Sequence, residues 1–272
     1  MKISHSGLNQ IIMTNTAETQ GLLVDLSGTI YIDDQVVPGA LEALEKIRNA
    51  GIPIRFVTNT TSQPRSVIIK KLRNLGFDIE ENEIFTATVA ADRYLKSAGY
   101  RKCNFLLKEE VLEDITGCIH SEKHPEAVVV GDLGGAFTFD KLNRAFNNLL
   151  DGAQLFALAK NRYFEKEGAL QIDVGGFVAA LEYSADTKAM LIGKPAVSFF
   201  NTAAASLNIN PENVAMVGDD IESDCQGAMH VGMHGILVKT GKYRPELSEK
   251  SGITPTASLN SIADLPEYLG LT

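Results

Sequence analysis

Four potentially reactive side chains stand at the ends of short apolar runs that lie far apart in the sequence. Leu22-Leu23-Val24 ends in Asp25, with Ser27, Gly28 and Thr29 close behind. Pro53–Val57 ends in Thr58-Asn59-Thr60-Thr61, Ala189–Ile192 in Gly193-Lys194-Pro195, and Val214–Val217 in Gly218-Asp219-Asp220. Asp25 and Asp219 are hard oxygen donors of the kind Mg2+ takes, one or two carboxylates at a time with several waters kept. The Lys194 ammonium and the Thr58 hydroxyl suit phosphate oxygens, and backbone N–H groups in the turns after Asp25 and Thr58 add donors. An aspartate can also attack phosphorus and carry it as an aspartyl phosphate. Two acids, a lysine and a threonine therefore fit metal-assisted phosphoryl transfer, where catalysis is positioning and charge stabilisation. A plainer reading is also open: strands often end in Asp for turn reasons, and Lys194 and Asp219 would then be a surface ion pair.

The elements that must position these groups follow from patterning. Short apolar runs read as strands buried on both faces. Between the first two runs, a helix over about Ala40–Ala50 places Leu41, Leu44 and Ile47 on one face, with Gly51 as its stop. Strand, helix and strand in this spacing form a βαβ unit with parallel strands. A second helix starts at Ser62 and Pro64, carries Val67, Ile68, Leu72 and Leu75 at helical spacing, and ends at Gly76. Residues 84–186 have a separate α/β texture. A helix is expected over Thr86–Lys96, apolar runs at Phe105–Leu107, Ala127–Val130 and Leu155–Ala159, and helical stretches near Glu109–Ile115 and Asp140–Leu150. The chain then returns with a helix over Ala196–Leu207 and strands at Val214–Val217 and Ile236–Val238. If one parallel sheet holds the four runs, all four groups share its carboxyl edge, where open α/β sheets bind ligands. The expected organisation is a core made of 1–83 and 187–272, with 1–20 as a loose N-terminal extension. Residues 84–186 would be an inserted α/β cap over that edge. Spacing does not give the sheet order.

The chain has 272 residues, 44% of them hydrophobic, enough for a sizeable core. Its formal charge of −9 provides no basic field for nucleic acid or an anionic membrane surface. Cys103, Cys118 and Cys225 lack C-x-x-C spacing and read as the reduced thiols of a cytoplasmic protein. The first 20 residues lack the apolar segment of a secretion signal, and no run approaches the ~18 apolar residues of a membrane helix. His230 and His234 are four apart, but Gly232 and Gly235 interrupt any helix that would pair them as metal ligands. Gly131-Asp132-Leu133-Gly134-Gly135 reads as a cap loop and Cys225 as a small buried residue. Lys160-Asn161-Arg162 read equally well as substrate contacts or as a solvated turn.

In combination the motifs become specific. The order D-x-S-G-T, V-T-N-T-T, G-K-P and V-G-D-D-I-E-S-D resembles the four motifs of the haloacid dehalogenase (HAD) superfamily. An insertion between the second and third looks like its C2-type cap. The resemblance implies a Rossmann-like parallel-sheet core with that α/β cap domain. It implies that Asp25 is nucleophile and Mg2+ ligand, that Ser27 gives its carbonyl to the metal, and that Asp219 binds Mg2+ directly. Thr58, Asn59 and Lys194 would hold the phosphoryl group in a pocket also lined by Ser27. Asp224, with Asp220 sharing the work, would orient waters or Lys194. A homodimer joined through cap surfaces is implied as well. The departure is at Ser27, where most phosphatases of the superfamily have an Asp that serves as general acid and base. The resulting expectation is a Mg2+-dependent phosphatase acting on a small phosphorylated compound through a phosphoaspartate on Asp25. The rival reading, favoured by Ser27, is a catalytically weak phosphate-ligand binding or regulatory protein on the same fold. A dehalogenase fits less well, because the acids from Asp219 to Asp224 suit a metal that haloacid chemistry does not use.

Overall fold

Short runs rich in Leu, Ile, Val and Phe become strands, the central ones buried on both faces, and eleven strands form two parallel sheets in the computed structural model, which describes residues 19–166 and 169–271. The expected N-terminal extension lies almost wholly outside the described residues. In chain order the strands of these sheets are β1 (Gly21–Asp25), β2 (Ile54–Thr58), β3 (Ile84–Thr86), β4 (Lys102–Leu106), β5 (Ile119–His120), β6 (Ala127–Val130), β7 (Gln154–Ala157), β8 (Met190–Leu191), β9 (Val214–Gly218), β10 (His234–Val238) and β11 (Ala257–Leu259). The principal helices are α1 (Ala40–Asn49), α2 (Arg65–Asn74), α3 (Ala87–Ser97), α4 (Phe139–Leu150), α5 (Val174–Ser184) and α6 (Val197–Leu207).

The core sheet runs β11-β10-β9-β1-β2-β3, all parallel. From β1 the chain winds outward through β2 and β3, then returns to β9 on the other side of β1 and winds outward again. The direction of winding therefore reverses between β1 and β9, and a crevice opens at their carboxyl ends. Asp25 ends one of these strands and Asp219 follows the other, so the order of the strands places both acids at the crevice. Alternation along β1 divides the packing. Leu22 and Val24 join Phe56, Leu44, Ile47, Ile68 and Leu72 beneath α1 and α2, while Leu23 joins Val57, Phe85, Phe199 and Phe200 beneath α3 and α6.

The second sheet runs β8-β7-β6-β4-β5, also all parallel. Phe105, Val129 and Phe156 on one face continue the apolar cluster that contains Phe199. Leu106, Val128, Val130 and Leu155 on the other face pack against Ala145 and Leu149 of α4 and Val178 and Leu181 of α5.

Strand pairing moves the expected boundaries. Ile84–Thr86 hydrogen-bonds to β2 and belongs to the core sheet, because α2 closes a second βαβ unit there. The run before Lys194, expected in the core sheet, is instead β8 and pairs with β7. The chain thus passes between sheets within 87–101 and again within 192–213, rather than at 83/84 and 186/187. The hairpin of Tyr163–Lys166 with Ala169–Ile172, and α5 with its two glycines near the start, carried no clear periodic signal.

Phe199 is fully buried, with its ring edge-on to Phe85 at 5.3 Å and to Phe200 at 5.6 Å. Phe199→Ala opens a cavity where α6 meets the core sheet, and should cost about 3–5 kcal/mol of unfolding free energy. Urea denaturation monitored by circular dichroism measures it.

Candidate active site

The site is assembled around a buried lysine. Lys194 Nζ donates to Asp25 Oδ1 at 2.5 Å and to Asp224 Oδ1 at 2.6 Å, and all three side chains are buried. Lys194 comes from just beyond β8, in the second sheet, and still reaches Asp25 at the end of β1. Asn59 makes this possible: its amide Nδ2 donates to the Lys194 carbonyl at 2.8 Å, and its Oδ1 accepts the Lys194 N–H at 2.7 Å. The preceding residue has to be glycine, since a Cβ on Gly193 would meet the Leu158 carbonyl and lie 2.7 Å from Asn59 Oδ1. The structure therefore places the Asn59 side chain on the backbone of Lys194.

Asp219 sits in a corner shaped by two glycines. Gly28 (φ 92°) and Gly241 (φ 56°) adopt backbone conformations that suit glycine, and a Cβ on either would land on Asp219 Oδ2. The Lys242 N–H donates to the same oxygen at 2.6 Å, and Thr240 Oγ1 donates to the Gly28 carbonyl at 2.5 Å. Thr240, Gly241 and Lys242 were not among the expected site residues. Their signal was the polar end of the run that became β10. Asp220 Oδ1 accepts the N–H groups of Glu222 and Ser223, capping the turn Ile221–Gln226. Its own N–H donates to Asp224 Oδ2 at 3.2 Å, so Asp220 holds the turn that delivers Asp224. Gly218 leaves room for the Asp224 carboxylate, which a Cβ there would strike.

Thr58 Oγ1 accepts the Thr60 N–H at 3.1 Å and shares a hydrogen bond with Thr60 Oγ1 at 2.9 Å. Ser27 is exposed, one residue before the turn in which Gly28 N–H donates to the Tyr31 carbonyl. From the second sheet, Asp132 N–H donates to Thr61 Oγ1 at 2.9 Å, so the loop after β6 is tied to the loop after β2.

Asp25, Asp219 and Asp224 each offer an oxygen within 4.8 Å of the others. Among the described residues, Lys194 is the buried cation in hydrogen-bond contact with this group, so three acids face one ammonium. Burial is the main force raising the carboxyl pKa values, and the neighbouring carboxylates add to it. Asp219 is pushed up to about 6, Asp224 to about 7, and Asp25 is raised as well, while the two acids beside Lys194 hold its proton more firmly. A buried, oxygen-only, undercompensated donor set is what a hard divalent cation fits.

Other singled-out residues have structural work. Lys160 Nζ donates to both carboxylate oxygens of Glu182 at 2.7 and 2.8 Å, tying the loop after β7 to α5. His234 begins β10, and Gly232 (φ 85°) turns the chain between it and His230, so they do not share a helix face. Burial raises the Cys225 thiol pKa and keeps it unreactive.

Two family models match the chain. One described as haloacid dehalogenase-like hydrolase covers residues 22–121, and one described as HAD-hydrolase-like covers 191–265. Human haloacid dehalogenase-like hydrolase domain-containing protein 2 is 44% identical over 250 residues, covering 92% of this chain and 95% of the relative. The phospholysine phosphohistidine inorganic pyrophosphate phosphatase of Xenopus laevis is 34% identical, covering 92% and 94%. Among solved structures, p-nitrophenyl phosphatase from Archaeoglobus fulgidus aligns with a TM-score of 0.86 at 26% identity, covering 92% of this chain and 99% of that one. With its switch-point acids and clasped lysine, the chain belongs to the haloacid dehalogenase-like hydrolases.

Proposed function

We propose that this protein is a Mg2+-dependent phosphatase that hydrolyses a small phosphorylated compound through a phosphoaspartate on Asp25. The observation that carries the proposal is the buried contact of Asp25 with Lys194 at the switch point, with Asp219 and Asp224 beside it. Asp25 Oδ1 is engaged by Lys194, and its other carboxylate oxygen attacks phosphorus. The bond from phosphorus to the leaving group breaks, and its electron pair departs with that group. Water then adds at phosphorus, the acyl phosphate bond breaks, and phosphate and the Asp25 carboxylate are regenerated. Thr58 and Lys194 hold the phosphoryl oxygens. Asn59 acts by fixing the Lys194 backbone, and Asp224 shares the lysine's charge. Mg2+, held by Asp25, the Ser27 carbonyl and Asp219, supplies positive charge where negative charge gathers on the phosphoryl oxygens. The second sheet from β4 through β8, with α4 and α5, forms the cap, and its tie to Thr61 supports closure over the site.

Ser27 shapes the substrate class. A serine hydroxyl is a poor proton donor near neutral pH, and Asp220 is occupied as a helix cap. Leaving groups that depart without protein protonation are therefore favoured: phenolates, phosphate, and nitrogens already protonated. This agrees with the phosphohistidine, phospholysine and pyrophosphate named for one relative and the p-nitrophenyl phosphate named for a structural neighbour. A homodimer joined through cap surfaces and a cytoplasmic location complete the proposal. Exposed Tyr163, Phe164, Leu170 and Ile172 on the cap hairpin support the dimer. No helix among the described residues is long and apolar enough to cross a membrane.

Asp25→Asn should abolish turnover of p-nitrophenyl phosphate while leaving the circular dichroism spectrum unchanged. Activity within about tenfold of wild type would remove Asp25 as the nucleophile. Activity should also vanish in excess chelator, and Mg2+ should raise the melting temperature more at pH 7.5 than at pH 5. The sign follows from Asp219 and Asp224. Without a cation their raised pKa values destabilise the fold increasingly as pH climbs from about 4 through about 6–7. Bound Mg2+ removes that cost, whereas at pH 5 it has to displace protons. Equal shifts at the two pH values, measured by calorimetry, would contradict the assignment. In single-turnover assays over aryl and alkyl phosphates, wild type should show a steep dependence of rate on leaving-group pKa. A flat series would mean that another residue supplies the proton.

A further inference from the structure

The second sheet has a switch point of its own. The chain enters it at β4, steps to β5 on one side, then crosses back to β6 on the other and continues to β7 and β8. Winding reverses between β4 and β6, and at their carboxyl ends lies a cleft of about 440 Å³ lined in part by Asn104, Leu106, Lys108, His120, Leu133 and Lys141. This volume is within the range of small-molecule sites. Side-chain alternation places Cys103 and Phe105 of β4 in the cluster facing the core, and Leu106 in the cluster beneath α4. Asn104 shares the α4 face with Leu106, opposite to the face packed toward the core. Phe105, Leu107 and Leu112 of the core-facing cluster also line the cleft, but none of the residues gathered around Lys194 does.

Asn104 is the telling residue. It is 4% exposed and lines the cleft, and among the described residues its side-chain amide has no hydrogen-bond partner. Both amide atoms stay within reach of solvent from the cleft, so a ligand bound there would replace water on a donor and an acceptor. His120 Nδ1 accepts the Phe105 N–H at 3.2 Å, which leaves the Nε2–H of the neutral ring as a further donor. Of the first turn of α4, Lys141 lines the cleft; its N–H donates to Thr138 Oγ1, and Asp140 adds a carboxylate to the same turn. Lys108 extends over the loop after β6, its Cε 3.6 Å from the Cβ position of Gly134. Of the acids at the rim, Glu122 is paired with Arg144 at 3.0 Å, and Glu109 and Glu110 are exposed.

We propose that this cleft is a second ligand site, which binds a nucleoside monophosphate with the base edge on the Asn104 amide and the phosphate between Lys108 and Lys141. An Asn amide matches the adjacent donor and acceptor of an adenine edge. Two lysines match a phosphate, and Leu106 and Leu133 supply apolar walls for the base.

The test uses the full chain carrying Asp25→Asn, in chelator, so that nothing is turned over at the other site. AMP is titrated by calorimetry and by NMR, with adenosine and inorganic phosphate as separate probes. AMP should bind with a Kd below about 1 mM and shift the Asn104 side-chain amide and the His120 ring. Asn104→Leu, added to the same background, should weaken binding by about tenfold or more. Lys108→Ala with Lys141→Ala should reduce AMP to the affinity of adenosine. If Asn104→Leu fails to fold, the lysine pair and the NMR map decide the matter. Absence of saturable binding, AMP affinity unchanged in either variant, or shifts confined to residues around Asp219 would overturn the proposal.

Discussion

A lysine ammonium cannot be buried unless carboxylates go with it, and the site is built to meet that condition. Removing Lys194 from water is costly, and the cost is offset only by good geometry with both Asp25 and Asp224. Asp25 is available because β1 stops there. Asp224 is available because Asp220 caps the turn that swings it back over Gly218. With two carboxylates committed to one ammonium, Asp219 is left without a buried cation, and its pKa is raised by burial first and by the neighbouring Asp224 carboxylate second. The glycines at 28, 218 and 241 follow from the same crowding, since each stands where a side chain would occupy the space of a carboxylate. Acidic excess, glycine placement and cation fit are thus one electrostatic fact.

Much of this was legible in the residues. Each of the four apolar runs became a strand, and each strand is followed by the group expected at its end. The βαβ spacing correctly predicted parallel pairing of β1 with β2. Sheet membership was not legible. Met190–Leu191 has only two paired residues, and no local pattern distinguishes an edge strand of one sheet from that of another. Ile84–Thr86 has three residues, between a single helical turn at Glu81–Glu83 and the start of α3. The role of the Asn59 side chain was hidden for a different reason. A motif shows that an amide is present, but its partner, the backbone of a residue 135 positions later, is a matter of tertiary structure. Asp220 is a similar case: adjacent to Asp219 in sequence, it acts as a cap because the next turn needs an acceptor for its free N–H groups.

Ser27 shows how little a fold constrains chemistry. The turn at Gly28, the parallel strands and the acid cluster are compatible with either a carboxylic acid or a hydroxyl at position 27, because that side chain is exposed. The packing is therefore indifferent to the chemistry at this position, which is why the residue type there had to be read from the sequence.

The Asn59 clasp has a mechanical consequence. Lys194 is carried on the strand that leads out of the second sheet, so any rocking of that sheet would pull on it directly. Two hydrogen bonds from one amide grip the peptide on both sides of the residue and anchor it to the end of β2. The amide works as a strain-relief collar on a cable: motion upstream dissipates in the few residues before the grip, and the ammonium keeps its station beside Asp25. The station of the ammonium is therefore set from the core sheet, although the strand that carries it belongs to the other one.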